Sequence, residues 1–275
     1  MNIGVVGLGL IGGSLAGAIK QNTDHSVYGY DINNDVVNKA MQSGFVDIAL
    51  NDNNLNKCDI VIIAVYPTDT IQYVLNKLQY FKDNSYIVDC CGVKRTVCEK
   101  IWNGIKSTNI TFVGGHPMAG KHFSGFEYSS ATLFKGASMI FVPANTETKL
   151  ELLEHLFLSI GFSTINISTA EEHDRIIAFS SQLAHVVSNS YIKSPQANLH
   201  SGFSAGSYKD MTRVAFLNTR MWTELFLNNA DNISNEIDIL IGNLKDINDA
   251  IKSKDAETLY SLLEQGSEIK KKVDM

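Results

Sequence analysis

The run VVGLGLIGGS near the start constrains the fold more than any other part of the 275-residue chain. It places Gly7, Gly9 and Gly12 in G-x-G-x-x-G spacing, after the strand-like NIGVV and before the helix-like IGGSLAGAIKQ. In such a turn the first glycine makes the bend after the strand. The second lets a pyrophosphate approach the backbone, and the third lets the helix pack close to the sheet. Free N–H groups at the helix start then attract the phosphates. Leu10 and Ile11, inside this turn, and Val65, after a later strand, are expected against the same ligand. An acidic residue about twenty positions further on should reach the ribose 2′-hydroxyl. Asp31, in YGYDINN, fills that place, and no arginine follows it to receive a 2′-phosphate. The expected cofactor is therefore NAD and not NADP.

Further strand-like runs are SVYGYD, DIVIIAV, SYIVDC, ITFVGG, ASMIFVP and FSTINIS, with helical patterns such as VVNKAMQSG, TIQYVLNKLQYF and TKLELLEHLFLSIG among them. Alternating strands and helices imply a parallel sheet covered on both faces. The expected fold class is α/β: a Rossmann-type doubly wound sheet over residues 1–168, followed by an all-α domain over 169–275. Thr169 and Glu172 have capping-box spacing and open a buried helix that Pro195 ends. Ile233, Ile237, Leu240, Leu244, Ile247 and Ile251 follow a heptad-like seam, which packs helix on helix. A thin helical domain buries little alone, so a homodimer through it is expected.

A net charge of −6 argues against a general nucleic-acid binder. The apolar start lacks a basic n-region, so neither a signal peptide nor a membrane span is read, and a cytoplasmic location is expected. The four cysteines, at 58, 90, 91 and 98, show no paired ligand spacing, so no metal site is expected and the thiols are read as reduced. The adjacent Cys90 and Cys91 are read as packing.

Ligands of doubly wound sheets bind outside the carboxyl ends of the strands. AVYPTD, VDCCGVK and VGGHPMAG should gather there, which puts His116 at the rim of the cofactor crevice. The flanking glycines are read as permitting a sharp turn and Pro117 as fixing its exit, so that the imidazole is held for acid–base chemistry.

The run GGHPMAGKHFSGFEYSSATLFKGASMIFVP resembles the catalytic loop of prephenate dehydrogenases, and GFSAGSYKDMTRVAFLNTRMW resembles their substrate-binding segment. The similarity runs from Gly7 to about Asn228. It implies NAD-dependent oxidative decarboxylation of prephenate to 4-hydroxyphenylpyruvate. Hydride leaves C4 of the ring while His116 accepts the hydroxyl proton, and carbon dioxide leaves C1. Arg213 is expected to hold the side-chain carboxylate of the substrate by a bidentate pair. Pairing the departing carboxylate would stabilise the ground state instead. Lys209 and Arg220 are rival cations, read as solvated or salt-bridged. Gly206 and Trp222 match the same segment.

Many relatives carry a serine where Gly92 stands, which would leave His116 without that partner unless a backbone group or water substitutes. His122 replaces a glutamate of some relatives, and Gln182 a frequent histidine. Lys94 is a candidate for cofactor or substrate contact or a solvated lysine; His185 is a candidate pocket or core residue. The histidines at 25, 155, 173 and 200 have no assigned partner. Arogenate dehydrogenase is the nearest alternative. Others are a β-hydroxyacid or imine reductase and a non-catalytic NAD-binding regulator. Neither an appended ACT domain nor a fused chorismate mutase is expected.

Overall fold

The computed structural model describes residues 1–121 and 123–274. Eight strands form one sheet: β1 (Asn2–Val6), β2 (Ser26–Tyr30), β3 (Ile48–Ala49), β4 (Ile60–Ile63), β5 (Tyr86–Asp89), β6 (Thr111–Pro117), β7 (Ser138–Pro143) and β8 (Thr164–Ile167). Their spatial order is β3-β2-β1-β4-β5-β6-β7-β8. β1 thus has β2 on one side and β4 on the other, which is the switch point where a doubly wound sheet opens a crevice. Five helices belong to this layer: α1 (Leu10–Asn22), α2 (Asn34–Gln42), α3 (Pro67–Asn76), α4 (Arg95–Ile105) and α5 (Glu151–Ser159). The central strands are apolar on both faces, as burial between two helix layers requires. Ile60, Val61, Ile62 and Ile63 are all fully buried.

The sheet is not wholly parallel. β7 runs antiparallel to β6, with His116 opposite Ile140, and β8 is parallel to β7. The cause lies in the connection. A parallel return needs a crossover of a dozen or more residues, usually a helix. The connection from Pro117 to Ser138 is long enough for a crossover but holds no α-helix among its described residues, only the 3-10 turn Phe126–Tyr128, and it packs against α1 before returning beside β6.

Six helices follow: α6 (Ala170–Ile177), α7 (Ala184–Tyr191), α8 (Gly206–Thr212), α9 (Thr219–Asn228), α10 (Ala230–Ser253) and α11 (Ala256–Val273). Thr169 caps α6, its hydroxyl accepting from the Glu172 N–H at 3.1 Å. A π-helical stretch, Ala178–Leu183, joins α6 to α7 without a break. Along α10, Ile233 is buried but Leu244 and Ile251 are 56% and 55% exposed. None of the described helices is long and apolar enough to cross a membrane.

Candidate active site

Three sheet helices, α1, α3 and α4, begin where β1, β4 and β5 end, and their N-termini are treated differently. The N-cap of α3, Tyr66, offers no side-chain bond; instead Glu224 of α9 accepts from the Thr68 N–H at 2.6 Å. The N-cap of α4, Lys94, likewise offers none. Asp174 of α6 accepts from the N–H groups of Lys94 at 2.7 Å and Arg95 at 2.9 Å. The helical layer thus supplies a carboxylate to two positive helix ends. The third end, that of α1, has no side-chain cap and no acidic residue in its first turn. It is the end left for an external anion, and Gly9, Leu10, Ile11 and Gly12 form it.

The turn before α1 has the shape that role needs. Gly7 has φ of 84°, a left-handed conformation, and its neighbour across the crevice is Val65. A Cβ on Gly12 would lie 1.8 Å from the Gly7 carbonyl oxygen, whereas one on Gly9 would meet nothing within 4 Å. Space over Gly9 and none at Gly12 fits a pyrophosphate lying on the turn. Asp31 braces the same loop: its carboxylate accepts from the N–H groups of Leu8 and Asn33, both at 2.9 Å. A carboxylate so held keeps further acceptor capacity for ribose hydroxyls.

His116 lies within β6, not beyond its end, and the two glycines before it serve close packing instead of a sharp turn. A Cβ on Gly114 would lie 2.6 Å from Cys98 Sγ, and one on Gly115 only 2.3 Å from the Asp89 carbonyl oxygen. The ring of His116 is half-buried, and its Nδ1 is 2.8 Å from Nε2 of His173 on α6. His173 Nδ1 is in turn 2.7 Å from the Asp174 carboxylate. Burial, then the neighbouring His173 and Lys94, hold the His116 pKa well below its ordinary value of 6.5. His116 is therefore a neutral imidazole at pH 7, the form that accepts a proton. Its other nitrogen, Nε2, faces Gly92, at 4.0 Å from where a Cβ on that residue would be. Leu225 of α9 covers the same opening.

A serine at Gly92 would have faced His116 Nε2; His173 engages the other nitrogen, Nδ1, and is a partner that sequence reasoning did not assign. It was among the unassigned histidines. The signal lay in AEEHDRII, where Ala170, His173, Asp174 and Ile177 share the buried face of α6. A histidine and an aspartate on an otherwise apolar face demand partners. Arg95 was also missed. Its guanidinium reaches Asp174 at 3.4 Å, Asn229 at 3.1 Å and Asp231 at 2.8 Å, joining α4 to α6 and α10.

Lys94 is not a solvated lysine. Its side chain is 0% exposed and ion-paired with Asp89 under the sheet. Burial opposes its charge, but the Asp89 carboxylate more than compensates, and its pKa is raised. His185 donates from Nδ1 to the Ser181 carbonyl at 2.9 Å, and its ring centroid lies 3.9 Å from that of Trp222. Gln182 is buried, its Oε1 accepting from Asn229 at 2.9 Å. Arg220 is engaged with Asp69 at 3.6 Å and lies over the Tyr66 ring. Arg213, at the C-cap of α8, is exposed and makes no ion pair among the described residues. Gly206 opens α8, with open space about it. His122 lies outside the described residues.

A family model described as prephenate dehydrogenase, nucleotide-binding domain, matches residues 15–165, and one described as prephenate dehydrogenase, dimerization domain, matches residues 169–265. The chain belongs to the prephenate dehydrogenase family. It is 31% identical to the prephenate dehydrogenase of Bacillus subtilis, over 93% of this chain and 71% of that protein. It is 30% identical to the cyclohexadienyl dehydrogenase of Zymomonas mobilis, over 94% of this chain and 91% of the relative. Among solved structures, prephenate dehydrogenase from A. aeolicus, in complex with hydroxyphenyl propionate and NAD+, superposes with a TM-score of 0.86 at 26% identity. It covers 99% of this chain and 98% of that one. As a prephenate dehydrogenase family member the chain is an oxidoreductase, and the Rossmann-type sheet with its helical second part is the architecture of that family.

Proposed function

We propose that this enzyme oxidatively decarboxylates prephenate to 4-hydroxyphenylpyruvate with NAD, using His116 as the base. The observation that carries the reading is a neutral imidazole with one nitrogen engaged by His173 and the other facing the opening at Gly92. The uncapped start of α1, the space over Gly9 and the braced Asp31 fit a dinucleotide with a free ribose 2′-hydroxyl. When bound, the nicotinamide supplies the hydride acceptor. His116 Nε2 takes the proton of the C4 hydroxyl as hydride departs. Arg213, with no ion pair among the described residues, holds the side-chain carboxylate, and Trp222 against His185 walls the pocket. Leu225 over the opening keeps water from the reacting carbon. The exposed Leu244, Ile251 and Leu263 of α10 and α11 pair with a second copy, consistent with the name of the matching domain.

The test is NADH formation by the purified protein with prephenate and with arogenate, each with NAD and with NADP. Turnover of prephenate with NAD is expected, with NADP poorer by tenfold or more, on the order of 1.4 kcal/mol. Turnover of arogenate alone would keep the chemistry and change the substrate. Equal use of NADP would remove the role given to Asp31.

A further inference from the structure

We propose that His116, His173 and Asp174 form a three-member proton relay in which His173 fixes the tautomer of the base and holds its displaced proton during the reaction. This deepens the reading of His116 as the base and rests on it.

The order of protons follows from one end. An ionised carboxylate only accepts hydrogen bonds. Asp174 is ionised: burial works against its charge, but bonds from His173 and from the Arg95 and Lys94 N–H groups hold its pKa below the ordinary 3.8. The proton between Asp174 and His173, 2.7 Å apart, therefore sits on His173 Nδ1. His173 is neutral, its pKa lowered chiefly by burial, so its Nε2 is a bare acceptor. The contact of 2.8 Å to His116 Nδ1 then requires the proton on His116. His116 Nε2 is left bare, and it is the nitrogen facing the opening at Gly92. Moving the proton of either ring alone to its other nitrogen would put two donors or two lone pairs face to face across the 2.8 Å contact.

The same chain can move charge. As the C4 hydroxyl bond breaks, its proton joins His116 Nε2, and the electron pair left on oxygen forms the carbonyl as hydride leaves carbon for the nicotinamide. The His116 Nδ1 proton passes to His173 Nε2, and the resulting imidazolium lies against the Asp174 carboxylate. Loss of carbon dioxide then returns the electron pair of the C1–carboxylate bond to the ring and places charge on the C4 oxygen. Both protons move back one place, giving the phenol and the starting relay. No net proton is released. The charged and titratable groups around the two rings are Asp174 on α6, Lys94 and Asp89 from the sheet side, and Arg95 at the start of α4. Leu225 and Asn229, from the α9–α10 side, are uncharged.

The test is nitrogen NMR of the full-length protein labelled with 15N-histidine, with NAD bound. His116→Asn and His173→Gln assign the two rings. Both are expected to carry a proton on Nδ1 and none on Nε2 at pH 7. A proton on His116 Nε2, or a cationic ring, overturns the relay. In Asp174→Asn the new amide can donate to His173 Nδ1 and reverse both tautomers. The expected loss in kcat is about 10²–10⁴-fold, with NAD affinity kept and the acid limb of the kcat profile moved to lower pH. That limb belongs to the coupled pair, and it loses a negative neighbour. Asp174 also caps α4, so a second variant is needed if that one fails to fold. In His173→Gln the amide oxygen still accepts from His116 but cannot take its proton. A tenfold or larger fall in kcat, about 1.4 kcal/mol, is expected at unchanged KM. Unchanged kcat with an unmoved acid limb overturns the proposal. If the tautomers are as stated but no cyclohexadienyl substrate turns over, the functional reading fails and the tautomer assignment stands.

Discussion

Lys94 and Asp89 form an ion pair from which water is wholly excluded, directly under the strand that carries His116. Asp89 also accepts from the N–H groups of Cys91 at 2.8 Å and Gly115 at 3.0 Å, and Lys94 Cδ lies 3.1 Å from where a Cβ on Gly114 would be. The pair thus fixes the backbone on both sides of the catalytic edge. Removing one member of a buried pair leaves an uncompensated charge, at a cost of about 3–5 kcal/mol. Lys94→Met should lower stability by that amount in urea titrations. The raised pKa of Lys94 makes its contribution present at neutral pH and lost only in alkali, as pH rises through the folded value. An unchanged urea midpoint would show that the pair is dispensable.

Gly9 and Gly12 should separate binding from folding. A methyl group at Gly12 collides with the Gly7 carbonyl, so Gly12→Ala should lose about 1–3 kcal/mol of stability. A methyl group at Gly9 meets nothing in the protein. Gly9→Ala should melt like the parent and bind NAD more weakly, as isothermal titration would measure. Equal loss of stability in both variants would mean that the space over Gly9 is not a ligand's.

The acidity of His116 sets the pH dependence. Burial holds its pKa well below 6.5, so the neutral base persists on the acid side of that value. With saturating substrate, kcat should therefore stay level as pH falls through 6.5 and decline only further into acid. A decline centred on the ordinary histidine value would place the base in water instead of against His173.

Arg213 should act on substrate binding and leave the fold alone, because it is exposed and carries no ion pair among the described residues. Arg213→Ala should keep the parental melting temperature and raise the KM for prephenate, by a loss of about 2–5 kcal/mol. An unchanged KM would remove it from the substrate site.

The sheet, its cofactor turn and the helical second part were legible because their signals are local: apolar runs of strand length, glycines at fixed spacing, a capping box at Thr169. The antiparallel return of β7 was not, since it depends on a missing crossover helix and not on the strand's own residues. His116 was singled out as a candidate base, but it was read as lying past a strand and not within one. Gly114 and Gly115 read as turn formers, and only tertiary contact shows what their missing side chains would strike. His173, Asp174 and Arg95 were missed because their partners lie far off in sequence; His116 and His173 are separated by 57 positions. The burial of Lys94 was not legible because its counter-charge, Asp89, closes the preceding strand-like run SYIVDC, and nothing in that run marks the pairing.

The most direct measurement is NADH formation from prephenate and NAD by a His116→Asn variant whose NAD and substrate affinities are measured alongside. Loss of the base should lower kcat by about 10²–10⁴-fold with both affinities kept. Turnover close to that of the parent would contradict the account, because it would leave the relay and the strand that carries it without a role in the reaction.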